Sequence, residues 1–321
     1  MVKSIPQMYR YIYDRAERAT EVGRFRTWAH QFTAGNLRPL MLRERPDVVV
    51  CTHAFPCGAM AEYKRSFADA PPVVGVVTDF AVHGFWIHDN IDRYVVATEA
   101  VRDALVARGV APERVCASGI PVRPEFVPGG EPRETLRERL DLPRDRKVAL
   151  LMGGGLGIAP LERMLSVLNS AHVPLAAVVV AGRNARIERR LAAAAESVEY
   201  PVRALRFVDN IYDYMHAADV FVTKPGGLST AEALVAQVPM VLCKPLPGQE
   251  ERNARVLVEA GAALRTRRIA ELPAAIDLVL TDSARRDCLV AGARRLGKPN
   301  AAGEAASMIA RLVRVRKEIV A

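Results

Sequence analysis

The chain has little aromatic character: Phe, Trp and Tyr make up 6 % of its 321 residues. It also lacks any apolar run approaching the roughly 18 residues that a membrane-spanning helix needs. Half of its residues are nevertheless apolar, so a soluble protein with a sizeable core is expected. No C-x-x-C pair occurs among Cys51, Cys57, Cys116, Cys243 and Cys288. That absence speaks against a zinc site, and because most of these cysteines sit in or beside strand-like runs they are expected to be reduced core thiols. The first residues, MVKSIPQMYRYIYDRAER, lack the apolar stretch and small-residue cleavage site of a secretory signal, which points to a cytoplasmic chain.

Acid is scarcer than base, with 36 Asp and Glu against 45 Lys and Arg and a net charge of +9. Most arginines are interleaved with glutamates on helical patterns such as RETLRERLDLPRDRK, and no aromatics stand among them to stack on bases, so a nucleic-acid partner is not expected. The basic runs RTRR (265–268), ARRLGK (293–298) and RLVRVRK (311–317) could instead attract an anionic membrane surface. Each Lys or Arg near such a surface contributes about 1 kcal/mol.

At this length two domains of about 150 residues are the natural expectation. From residue 47 the chain alternates β-branched runs (DVVVCTH, PVVGVVTD, RYVVAT, RVCASG) with the helical patterns PCGAMAEYKRSF and EAVRDALVARG. After the Pro- and charge-rich stretch 121–146 comes a second series, with strands KVALLMGG, LAAVVVAG, VRALRFV, VFVTKP and PMVLCKP. The helices between and after them read PLERMLSVLNSA, NARIERRLAAAAESV, STAEALVAQ and ERNARVLVEAGAA. Near-continuous apolar strands separated by helices predict parallel sheets covered on both faces, an α/β architecture whose ligands bind at the carboxyl ends of strands. The predicted organisation is 1–127, 128–300 and a C-terminal helix over 301–321 able to pack back on the first domain.

Two glycine-rich turns sit at such strand ends. LLMGGGLGIAP places Gly153, Gly154, Gly155 and Gly157 between a strand and a helix. It serves either as a tight turn or as a backbone that lets a phosphate or sugar approach without a Cβ clash. Ile158 stands where a dinucleotide fingerprint needs its third glycine, and no G-K-[ST] comes after, so NAD and P-loop chemistry are both excluded. The second turn, in VTKPGGLSTAEALVAQVPMVLCKP, runs from Lys224 through Gly226 and Gly227 into a helix. Ser229 and Glu232 have the spacing of a capping box, yet such a box needs no double glycine ahead of it. Free amides leading into a helix N-terminus make a pyrophosphate cradle, and a carboxylate one turn inside could accept two ribose hydroxyls.

TKPGGLSTAEAL (223–234), with KPLPGQEERNA (244–254) further along, resembles the donor-site signature of the GT-B glycosyltransferases that include monogalactosyldiacylglycerol synthases and processive diacylglycerol glucosyltransferases. VVTDFAVHGFWIHDNIDRYVVATEAV (76–101) and ASGIPVRPEF (117–126) are similar to the glycolipid branch, so the likeness covers nearly the whole chain. The resemblance implies two Rossmann-like domains facing a cleft and an inverting transfer of galactose or glucose from a UDP-sugar to diacylglycerol, the donor being a substrate and no cofactor being required. It places Gly226, Gly227, Leu228 and Ser229 at the UDP pyrophosphate, with Lys224 beside them, and Glu232 at the ribose. Backbone groups of Phe207, Val208 and Ile211 would meet the uracil, Gln249 and Glu250 the hexose, with Asn253 in support. The absence of a D-x-D motif agrees with metal independence. Enzymes of this kind act at the inner face of the cell membrane, to which the chain would bind peripherally.

The family's usual opening, a strand and a G-x-G-H-type loop whose histidine is the expected base, has no counterpart here. Residues 1–46, including the helical YRYIYDRAERATEVGRFRTWAHQF, resemble the family's next elements after that opening. The first domain would then be incomplete. Three readings are open: a fragment of a normal enzyme, a transferase using Asp79, His83 or His53 as base, or a UDP-sugar-binding protein without catalysis. A UDP-N-acetylglucosamine-using relative, transferase or 2-epimerase, is the rival chemistry. Trp86 and Phe85 would serve either a lipid acceptor or the core.

Overall fold

The computed structural model describes residues 35–154 and 160–320. The chain divides into two compact units. The first runs to Pro121 and takes in Pro247–Gln249 and the residues from Asn300 onward, and the second comprises Val122–Leu246 and Glu250–Pro299. The predicted helix over 9–32 lies outside the described residues.

The first unit holds a four-stranded sheet, β1 (Val49–Cys51), β2 (Val73–Val76), β3 (Arg93–Val95) and β4 (Val115–Cys116), paired in that order and parallel throughout. Alternation along β2 and β3 divides the core between two faces. Val73 and Tyr94 join the cluster under the helix Ala54–Ser66, while Val74, Val76 and Val95 pack against Ala305 and Met308 of the helix Ala301–Val320. Gly75 sits where the first of these helices presses closest: a Cβ there would lie 3.0 Å from the Tyr94 ring and 3.3 Å from Cys57 Sγ. Trp86, 2 % exposed, belongs to this core, and Phe85 packs partly buried against it, so the core reading of both residues holds.

The second unit is a six-stranded parallel sheet of β5 (Lys147–Met152), β6 (Leu175–Val180), β7 (Val202–Leu205), β8 (Val220–Thr223), β9 (Met240–Leu242) and β10 (Ala263–Arg265). Its spatial order is β10-β9-β8-β5-β6-β7, a doubly wound Rossmann-like sheet. Strand order reverses between β5 and β8, and the ligand crevice of such sheets lies at the carboxyl ends of those two strands. Strand β10 falls at the end of the predicted helical run ERNARVLVEAGAA: the helix Gln249–Glu259 stops before Gly261, whose φ of +65° ends it in the left-handed region, and only three residues of strand remain. Cys51, Cys57 and Cys243 are buried, and Cys288 is exposed on the helix Ser283–Leu296. Among the described residues no helix is long and apolar enough to cross a membrane.

Candidate nucleotide-sugar site

The reversal point of the second sheet carries the glycine turn. After β8, Pro225 and Gly226 turn the chain, and the helix Gly227–Ala236 begins with Gly226 as N-cap. Thr230 fixes this start: its N–H donates to Gly226 O at 3.1 Å and its hydroxyl to the same oxygen at 2.7 Å. Gly227, Leu228 and Ser229 therefore occupy the first three helical positions, whose N–H groups have no intrahelical acceptor, and none has a protein acceptor among the described residues. Glycine at 226 is not demanded by the fold. Its φ of −73° suits any residue, and a Cβ there would meet nothing within 4 Å. The open space lies where the positive end of the helix dipole would receive an anion.

The expected capping box between Ser229 and Glu232 does not form. The helix starts three residues earlier than the box requires, so Ser229 lies inside its first turn and no side-chain cap bond is made. Glu232 is left largely buried and, among the described residues, without a hydrogen-bond donor. Burial pushes its carboxyl up to about 7, against the downward pull of the Arg123 guanidinium. Glu232 stands on this helix one turn beyond the residues that carry the open amides.

Arg123 is a site residue that the motifs did not single out, although it lies inside the quoted ASGIPVRPEF. It donates to Asp209 O at 2.7 Å and sits 5.1 Å from the Tyr212 ring centroid, which pins the segment 207–211 after β7. Within that segment Phe207 is 48 % exposed under the Arg183 guanidinium, 4.5 Å from its centroid, Val208 is half-buried, and Ile211 is buried at the start of the helix Ile211–Ala217.

At the end of β5, Gly153 is buried and Gly154 adopts φ +78°, a conformation that favours glycine. A Cβ on Gly154 would come within 3.1 Å of Lys224 Cε, so the lysine stem lies directly against this turn. Lys224 Nζ is held 2.9 Å from Glu250 Oε1, and Glu250 Oε2 accepts the Leu246 N–H at 2.6 Å. Asn253, fully buried, donates to Pro225 O at 3.1 Å and ties the helix Gln249–Glu259 to the glycine turn. Gln249 groups with the first unit, whereas Glu250 and Asn253 belong to the second. Gly155 and Gly157 lie outside the described residues.

The catalytic candidates lie in the first unit, beyond the carboxyl ends of β1 and β2, which are joined there by a bond from Thr78 Oγ1 to Thr52 O at 3.3 Å. Asp79 and His83 are each 7 % exposed, and the His83 ring meets Phe85 edge-on at 5.6 Å. His53 is exposed and caps the helix Ala54–Ser66, its Nδ1 accepting the Phe55 N–H at 3.2 Å. With Nδ1 so engaged, the neutral ring carries its proton on Nε2 and presents a donor to solvent.

Comparison with known proteins places the chain in a family. Residues 1–122 match the family model for monogalactosyldiacylglycerol (MGDG) synthase, and residues 150–298 that for the glycosyltransferase family 28 C-terminal domain. The chain is 33 % identical over 276 residues to a processive diacylglycerol beta-glucosyltransferase of Bacillus thuringiensis, a match covering 86 % of this chain and 70 % of that protein. Among solved structures it resembles Anabaena Alr3699/HepE in complex with UDP and glucose (TM-score 0.59, 15 % identity, 85 % of this chain and 80 % of that one). It also resembles Acinetobacter baumannii MurG (TM-score 0.59, 19 % identity, 89 % and 77 %), and these likenesses identify the fold as GT-B.

Proposed function

The chain belongs to the family of processive diacylglycerol beta-glucosyltransferases, and from that premise we propose that it is a UDP-sugar-dependent hexosyltransferase that moves glucose from UDP-glucose to diacylglycerol. The observation that carries the site reading is the open first turn of the helix Gly227–Ala236, with Glu232, whose carboxyl burial raises to about 7, one turn further along. In this reading the amides of Gly227, Leu228 and Ser229 receive the diphosphate and Glu232 accepts the ribose hydroxyls. The segment 207–211, pinned by Arg123, borders the base. Gln249 contacts the hexose.

The reaction is one in-line displacement. The acceptor hydroxyl oxygen forms a bond to the anomeric carbon as the bond from that carbon to the diphosphate oxygen breaks, with inversion. A general base takes the hydroxyl proton, and the departing diphosphate is held by the amides. Asp79 and His83 fit the base role better than His53, whose one free ring nitrogen is a donor.

Diacylglycerol is costly to remove from a bilayer, so the protein docks on the inner face of the cell membrane through basic and exposed apolar residues. The structure narrows which basic residues are available. Arg265 pairs with Glu251, Arg268 with Glu271, Arg294 bonds Gln237 and Arg295 bonds Ala260 O. Arg267, Lys298, Arg311 and Arg314 are exposed with no side-chain partner among the described residues, and Leu40, Leu42, Val50 and Phe55 are exposed in the first unit.

The test is product formation with diacylglycerol in anionic mixed micelles, UDP-glucose and UDP-galactose being supplied in parallel. A glucolipid forming faster in anionic than in zwitterionic micelles is expected. Folded protein that binds UDP yet yields no glycolipid would leave only a UDP-sugar-binding role.

A further inference from the structure

We propose that His53 and Phe55 form a subsite for the acceptor, in which His53 donates a hydrogen bond to an ester or glycerol oxygen and Phe55 is the wall for the first carbons of an acyl chain. The inference rests on the transferase reading and gives His53 a task other than that of the base.

Four features converge on it. First, the fold orients the imidazole. His53 caps the helix Ala54–Ser66 from an extended backbone (φ −145°, ψ 144°), its Nδ1 accepts the Phe55 N–H at 3.2 Å and its carbonyl accepts the Cys57 N–H at 3.2 Å. The neutral ring therefore carries its proton on Nε2, and the residue is exposed, so a donor is held ready without a search through rotamers. Second, this helix start is closed to anions. Phe55 gives its N–H to His53 and Pro56 has none, so of the first three helical positions only Ala54 still has an N–H to offer. The helix Gly227–Ala236 offers three at its own start. One neutral donor suits an uncharged glyceride and not a phosphate.

Third, the surroundings of the donor are apolar. Phe55 is 51 % exposed and Pro56 beside it is exposed as well, so two uncharged rings border the imidazole. An acyl chain laid against the phenyl ring removes apolar surface of both from water. Fourth, the pair stands next to a candidate base. Thr78 Oγ1 donates to Thr52 O at 3.3 Å, so His53, next after Thr52, and Asp79, next after Thr78, leave the carboxyl ends of paired parallel strands. Such strands run about 4.8 Å apart. A glyceride held at His53 thus presents its hydroxyl at the edge from which the proton is taken.

Initial rates of the full chain with UDP-glucose and two water-soluble acceptors, diacetylglycerol and dibutyrylglycerol, test both assignments. Both are used below the concentration at which micelles form, so docking on a bilayer does not enter. The wild-type KM is expected to be lower for dibutyrylglycerol by about tenfold, the effect of two further methylenes of one chain against the ring. Phe55→Ala should level the two acceptors. His53→Ser keeps a good N-cap and should raise KM for both by about fivefold, the scale of one neutral hydrogen bond, with kcat unchanged. That split marks a lost binding contact. His53→Asn keeps both a cap and an N–H and should recover part of the loss. Tm, and UDP affinity by calorimetry, should match the wild type in all three variants.

A loss of kcat at unchanged KM in His53→Ser would return His53 to the base role and overturn the donor assignment. A Phe55→Ala protein that keeps the wild-type chain-length preference would overturn the acyl contact. So would a wild-type chain that glucosylates dioleoylglycerol in micelles yet shows no preference between the two short acceptors. Absence of product with every acceptor would remove the transferase reading, and this inference with it.

Discussion

At the carboxyl edge of the second unit's sheet the candidate ligand-binding groups are backbone amides, at residues 227–229, whereas at the same edge of the first unit's sheet the candidates are side chains, Asp79, His83 and His53. The contrast matches the tasks proposed for the two edges. Holding a diphosphate calls for several fixed donors and no proton transfer, which a helix terminus supplies at no side-chain entropy cost. Taking a proton calls for a titratable group, which no backbone offers. The first edge accordingly carries groups that titrate, Asp79 and His83 buried and His53 exposed, and the second a turn whose amides have no intrahelical acceptor.

Asp79→Asn should break this contrast most severely. As the candidate base it is expected to lose about 10²–10⁴-fold in turnover, the usual scale of a general base, with the UDP affinity unchanged by calorimetry. A parallel loss of UDP affinity would show that the two edges do not divide the work in this way. His83→Ala is the companion variant, and only one of the two should show the full loss.

Glu232→Gln sharpens the second edge. Losing a charged acceptor should weaken UDP by about tenfold or more, corresponding to about 1.5–3 kcal/mol for hydrogen bonds to a charged group. The pH dependence carries a definite sign. Hydroxyl donors prefer the carboxylate, so wild-type UDP affinity should fall as pH drops through about 7, and the Gln variant should lose that dependence. Stability runs the other way. The folded state holds this proton up to about 7 while the ordinary carboxyl releases it near 4.5, so the stability of the empty protein should decline as pH rises across that window. Urea titrations of both proteins at several pH values would reveal whether the slope vanishes with Glu232.

Gly226→Ala gives the smallest and most selective effect. The fold has room for the methyl group, so Tm should hold or rise, a gain of about 0.4–1 kcal/mol being typical of a compatible Gly→Ala change. A diphosphate seated on these amides as proposed would meet that methyl group, and UDP affinity should drop by about tenfold, the scale of an overpacked contact. A variant that binds UDP normally would remove the argument that this glycine exists for the ligand.

Several features were legible without coordinates because they are local. Near-continuous apolar runs and helical patterns between them mark both sheets, and Gly226–Gly227 ahead of a helical run marks an open N-terminus. The short strand β10 was missed because three residues after a left-handed glycine carry almost no periodic signal. The capping box was read into a spacing that the helix, starting at Gly227, placed out of register. Arg123 was overlooked because its partners, Asp209 O and the ring of Tyr212, lie far along the chain.

The sequence by itself determined the α/β class, the division into two Rossmann-like halves and the positions of the glycine turns, since each depends on neighbours within a few residues. Only the tertiary structure decided that burial raises the Glu232 carboxyl to about 7, that Lys224 is clasped by Glu250, and that arginines 265, 268, 294 and 295 have partners. Burial and ion pairing are set by groups brought together from distant parts of the chain, and these control protonation and which charges remain free to meet a ligand.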